Sequence, residues 1–177
     1  EDRSFTKDAE DPTTLLPKQT RHSVFVKSGQ NITEQVKLFG TAFYSNREIE
    51  QSQRFGSTVF LTPAQNEQYG ATIGLQTTFS DSWQGELVGT YSQNDTFRLL
   101  KFFTAPFAPT NTPFLEDEDN VTSKVTALDT KADGTLFQLE GGEVKIAIGG
   151  QYRKESFNIL ERFIDSDREN YAIFGEA

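Results

Sequence analysis

Few side chains in this sequence could do covalent or metal chemistry. There is one histidine, His22, and no cysteine. Multi-histidine metal centres, thiolate sites, disulfides and cysteine nucleophiles are therefore excluded. Carboxylates are plentiful, with 26 Asp and Glu against 17 Lys and Arg for a net charge of −9, but abundance is not placement. Glu86 and Glu176 could be read as a paired acid and base, yet no spacing brings them together. The run Glu116-Asp117-Glu118-Asp119 could ligate a hard cation such as Ca²⁺, or be a solvated acidic loop. No catalytic residue, metal site or cofactor is assigned, and the chain does not read as an enzyme. The acidic balance also argues against a nucleic-acid partner, which would need a basic face to meet phosphates.

One segment is richer in recognition chemistry. Phe97, Phe102, Phe103, Phe107 and Phe114 lie among prolines in a stretch that reads as a long loop. Such rings could close over a small ligand, or could pack on the protein's own rim.

The elements that must position these residues are β-strands. Tyr69, Ala71, Ile73, Leu75, Thr77 and Phe79 alternate with Gly70, Thr72, Gly74, Gln76 and Thr78. A strand sends successive side chains to opposite faces, so one face is apolar and the other polar. Ser80-Asp81-Ser82 supplies a turn, and Trp83, Gly85, Leu87, Gly89 and Tyr91 repeat the pattern, which predicts a hairpin. Residues 143–153 and 35–45 alternate in the same way. Weaker strands are expected at 22–27, 121–129 and 168–177, giving seven in all. No segment holds a 3.6-residue period, although residues 157–163 could form a short helical turn.

The connections predicted from composition alternate between short and long. Gly29-Gln30-Asn31 and Ser80-Asp81-Ser82 read as short turns. Residues 50–67 and 99–119 read as long loops, residues 131–142 as an intermediate turn, and 158–167 as a loop. That rhythm suits a membrane barrel, with short turns on one side and long loops on the other. No run of about 18 apolar residues is present, so no membrane-spanning helix is predicted.

A bilayer core offers no water to backbone amides, so strands can cross it only in a closed antiparallel sheet. Aromatic rings gather at both interfaces of such barrels. Phe79 and Trp83 flank the short turn, while Tyr44, Tyr69, Tyr91 and Tyr152 stand at the far ends of their apolar faces. Those six are the expected membrane-interface aromatics. Gly40, Gly85, Gly89 and Gly150 bury nothing in a core but are harmless against lipid. Lys37, Glu86, Lys145 and Arg153 on the opposite faces suit a wet lumen. A mean hydropathy of −0.55 is compatible, because half of each strand is polar. The competing reading is a soluble all-β binding or adhesion module in which each apolar face packs on a core. A passive porin-type channel shares the barrel architecture.

Gly141–Ser156, preceded by Ala132-Asp133-Gly134-Thr135-Leu136-Phe137, resembles the barrel of TonB-dependent outer-membrane receptors. There a GG-x-v-x-l-A-x-G-x-x-y-R-x-E strand is followed by one ending near F-x-E, as Phe174-Gly175-Glu176 does here. The Trp83 hairpin also looks like a receptor strand opening after a periplasmic turn. The resemblance covers roughly Thr20–Ala177. It implies part of a larger, 22-stranded barrel in the outer membrane of a Gram-negative bacterium. It further implies outer-membrane lipid around the barrel, a small nutrient ligand such as a siderophore or glycan outside, and TonB engaged through a plug domain. This sequence shows neither plug nor TonB box. Residues 1–19 read as a loop or partial preceding segment and 20–177 as a partial barrel domain. The missing initiator Met and the pattern broken off at Ala177 suggest a piece of something longer.

Overall fold

The computed structural model describes residues 13–104 and 112–177; residues 1–12 and the expected ligand-loop residue Phe107 lie outside them. The described chain is one seven-stranded sheet in sequential order, every neighbouring pair antiparallel. The strands are β1 (Lys18–Asn31), β2 (Val36–Phe55), β3 (Thr58–Ser80), β4 (Trp83–Thr104), β5 (Leu115–Leu139), β6 (Gly142–Ile159) and β7 (Ile164–Glu176). One 3-10 turn, Leu160–Arg162, precedes β7. No described helix is long and apolar enough to cross a membrane.

The alternation read from the sequence is realised as two continuous faces. Register places Val24, Tyr44 and Tyr69 side by side, then Gly40, Ile73 and Gly89, then Leu128 beside Tyr152, and Tyr152 beside Tyr171. Between the tyrosines and the turns at 32–35, 81–82 and 140–141, this face carries no charged side chain. No second layer covers it among the described residues: Ile73 is 61% and Ile173 92% exposed, and the buried apolar side chains are only Val59 and Phe103. A soluble domain of this size buries most of its Ile and Leu.

The loop expectations need correction. Residues 50–67 are not a long loop: β2 and β3 run on to a two-residue connection, Gly56-Ser57, where Gly56 takes a left-handed φ of 61°. The ends of the 99–119 stretch belong to β4 and β5, and residues 131–139 continue β5 to a turn at 140–141. The loop expected at 158–167 is the 3-10 turn and its flanks. Phe163 closes that turn with φ 53°, its N–H donating to Leu160 O at 3.3 Å. Gly29-Gln30-Asn31 lies within β1. The turn follows it at 32–35, where Thr33 Oγ1 accepts from the N–H groups of Gln35 and Val36 at 3.2 and 3.0 Å.

The physical reason is that these extensions are largely polar on both faces. Polar residues there need not alternate, so composition hides a strand that the backbone ladder still holds. Side-chain ladders reinforce it. Asn66 Nδ2 donates to Asn94 Oδ1 and Thr96 Oγ1, both at 2.8 Å, and Thr122 Oγ1 donates to Asp95 Oδ1 at 2.7 Å.

Several glycines serve as sockets for rings. Phe79 lies over Gly85, Trp83 over Gly134, Phe39 over Gly74, Phe43 over Gly70 and Phe174 over Gly149, each ring where a Cβ would stand. Gly85 is thus covered by an aromatic of its own sheet rather than left bare, as the sequence reading had it.

Candidate functional site

The uncharged band has measurable height. Tyr69 to Phe79 spans ten residue steps of about 3.4 Å, roughly 34 Å along the strand. At the ~45° tilt usual in membrane barrels this is about 25 Å, the height of their apolar belts. At its upper edge stand Tyr44, Tyr69, Tyr91 and Tyr152, in register or offset by two residues along the sheet. The rings of Tyr69 and Tyr91 lie 6.4 Å apart. Tyr171, absent from the expected set, joins Tyr152 at 5.1 Å; its weak strand hid it.

At the lower edge Phe79 and Trp83 flank the 81–82 turn. Trp83 Nε1 donates to Thr135 O at 3.0 Å, and Thr135 N to Ser82 O at 3.1 Å. Both aromatics sit beside register irregularities, at Thr78/Ser80 and Thr135/Phe137. Such bulges twist the strand and re-aim its side chains.

Beyond the tyrosines, the strands end in a rim of mixed aromatic and ionic contacts. Phe97, Phe102 and Phe103 are on β4, and alternation separates them. Phe102 faces Phe60 edge-on at 5.1 Å and Phe114 at 6.1 Å. Phe103 is buried on the other side of the strand, in register with Val59. Phe97 shares the face of Phe103, opposite Gln65 and Asn120. Three rings, Phe60, Phe102 and Phe114, therefore form one cluster, while Phe97 and Phe103 lie on the opposite face of β4. Phe60 escaped the sequence reading because its strand resembled a loop.

The acidic run Glu116–Asp119 is part of β5, so its side chains alternate between faces instead of converging on a cation. Lys101 Nζ pairs with Glu116 Oε1 at 3.1 Å. Asp119, 8% exposed, accepts from Arg98 on β4 and from Arg162 Nη2 at 3.1 Å. The Arg98 hydrogen bond, joined by the charge of Arg162, holds the Asp119 carboxyl below the usual range against a smaller opposing push from desolvation. Glu161 is lowered as well, first by the Asn120 backbone N–H that reaches its Oε2 at 2.6 Å. These bonds pin the 3-10 turn to the β4–β5 pair. Glu86 and Glu176 do not meet, since β5 and β6 lie between their strands. His22 stands opposite Asn46, beyond the tyrosine row.

The polar face carries its own network. Gln84 Nε2 donates to Asp133 Oδ2 at 2.9 Å, Lys131 pairs with Asp133 at 3.1 Å, and Arg153 with Glu155 at 2.7 Å. Arg168 reaches the same Glu155 from β7.

Among solved structures, the chain is similar to the unliganded ferric citrate transporter FecA. That match covers 88% of this chain and 24% of the other, with a TM-score of 0.57 and 10% identity. It is also similar to the ferric yersiniabactin uptake receptor FyuA from Yersinia pestis, over 90% of this chain and 25% of that one, with a TM-score of 0.55 and 11% identity. The fold is that of a TonB-dependent-receptor-like barrel wall. The chain spans about a quarter of the length of these receptors. No family model and no curated protein matches it. These neighbours are transporters and receptors, not enzymes.

Proposed function

We propose that this chain is part of the barrel wall of a TonB-dependent outer-membrane receptor in a Gram-negative bacterium. The uncharged face meets outer-membrane lipid, the polar face lines the lumen, and the long strand ends form the extracellular mouth. The receptor takes up a small nutrient such as a siderophore or glycan, energised by TonB through a plug domain carried elsewhere in the protein. One observation carries this reading: a charge-free band about 25 Å high, edged by tyrosines, on a single sheet with no covering layer among the described residues. The two structural neighbours, a ferric citrate transporter and a ferric yersiniabactin uptake receptor, favour a small ligand.

The test is fractionation of the protein that carries this chain, followed by growth on a limiting nutrient with and without TonB. Outer-membrane recovery and TonB-dependent growth are expected. Recovery in the cytosol, or a folded monomer in buffer without detergent, ends the proposal and favours the soluble β-module.

A further inference from the structure

Arg21 on β1 and Arg47 on β2 are register partners on the polar face. Like charges placed directly opposite each other destabilise a sheet unless something neutralises them. Nothing described does so. Arg47 Nη2 donates to Gln19 Oε1 at 2.9 Å and Arg21 Nε to Ser45 Oγ at 3.4 Å, both neutral acceptors. By contrast, Arg98, Arg153, Arg162 and Arg168 all reach a carboxylate.

The imbalance extends along the two strands. The polar face of β1 and β2 carries Arg21, Lys27, Lys37 and Arg47 and no Asp or Glu, and that face of β3 carries no charge. Glu48, Glu50 and Glu67 point to the other face by alternation. Across from Arg47 on β3 stands Asn66, whose amide already serves Asn94 and Thr96. In a chain of net charge −9, this is a segregated cationic strip.

We propose that Arg21 and Arg47 form a clamp for an oxyanion, a carboxylate group held between two guanidiniums. Guanidinium forks match carboxylates bidentately, and both forks are steadied by neutral neighbours rather than quenched by acids. The clamp stands three residues beyond Tyr44, about 10 Å along the strand. It rests on the reading of that face as the interior of the mouth, where an incoming ligand bearing carboxylates would meet it. The same chemistry could come from an acidic side chain elsewhere in the protein, and the test separates the two sources.

The full protein is purified in detergent and titrated with citrate, with glycerol as the uncharged control, and thermal unfolding is followed for wild type, Arg47→Gln and Arg21→Gln. For a diffusible ligand, citrate binds and glycerol does not, and affinity falls as salt is raised. Each variant then loses roughly tenfold or more, as for a charge-assisted contact, with Tm unchanged or raised. For an internal carboxylate, citrate does not bind and Arg47→Gln lowers Tm. Equal citrate binding by wild type and variants overturns the clamp, as does absence of binding with an unchanged or raised Tm. Because binding is read on purified protein, failure of outer-membrane recovery would sink the uptake reading alone.

Discussion

Placing a charge at the middle of the uncharged band should be costly on one face and cheap on the other. Ile73 lies four residues below Tyr69 and six above Phe79, with Gly40 and Gly89 as cross-strand neighbours and no charged residue on its face before Glu67. At ~3.4 Å per residue and a ~45° tilt, it sits about 10 Å below the tyrosine row and about 14 Å from the opposite edge. An arginine there cannot carry its guanidinium fully to either interface, so Ile73→Arg should cost about 2–4 kcal/mol. That is roughly a 30- to 900-fold shift in the folding equilibrium. Ala71→Arg, nearer the edge, should cost less, and Glu67→Arg, beyond it, about 0–1 kcal/mol. Thr72→Arg points to the polar face and loses only the 3.2 Å contact with Thr90, about 1 kcal/mol. The assay is reversible urea unfolding of the protein from lipid vesicles. The same cost at positions 73 and 67, or none at 73, would refute a bilayer around this face.

Three further outcomes are expected. Gly74→Ala and Gly149→Ala should each destabilise by about 1–3 kcal/mol in the same assay, because the new methyl displaces the Phe39 or Phe174 ring. Gly89→Ala, whose Cβ would meet Ile73 only at 3.9 Å, should be neutral or mildly stabilising, and equal costs at all three positions would contradict the socket reading. Trp83, the only tryptophan, should be quenched more by lipids brominated near the headgroup than by lipids brominated near the bilayer centre. Since the Asp119 carboxyl is held low by Arg98 and Arg162, its contribution is full above the ordinary carboxylate pKa and fades as pH falls through the lowered one. Protection factors for hydrogen exchange at residues 160–163, taken relative to the intrinsic rate at each pH, should therefore fall on strong acidification and, in Asp119→Asn, already at neutral pH; protection unchanged in that variant would count against the pin.

The hairpin around Asp81 and the strands near 35–45 and 143–153 were legible because one side of each is apolar and the other is not. Where both sides are largely polar, as from Asn46 to Phe55, that contrast disappears and the ladder has no compositional signature. The same blindness removed Phe60 from view and made the Phe97–Phe114 stretch look like one loop of equivalent rings. Tyr44, Tyr69, Tyr91 and Tyr152 could be grouped from their positions within strands, but Tyr171 needed the pairing of β6 with β7. The Arg21–Arg47 opposition and the Asp119 pin depend on register between strands, which no single-strand periodicity encodes.

The strand ends beyond Tyr44 and Tyr69 remain hydrogen-bonded all the way to Phe55 and Thr58. Their backbone entropy is surrendered once, when the chain folds, and would not be paid again on binding a ligand. Under the proposed receptor reading, a mouth built this way is a stiff palisade rather than a set of tentacles, with selectivity set by fixed spacing. The described tips at 56–57 and 160–163 are tight bends that offer a protease cleft little slack chain to thread.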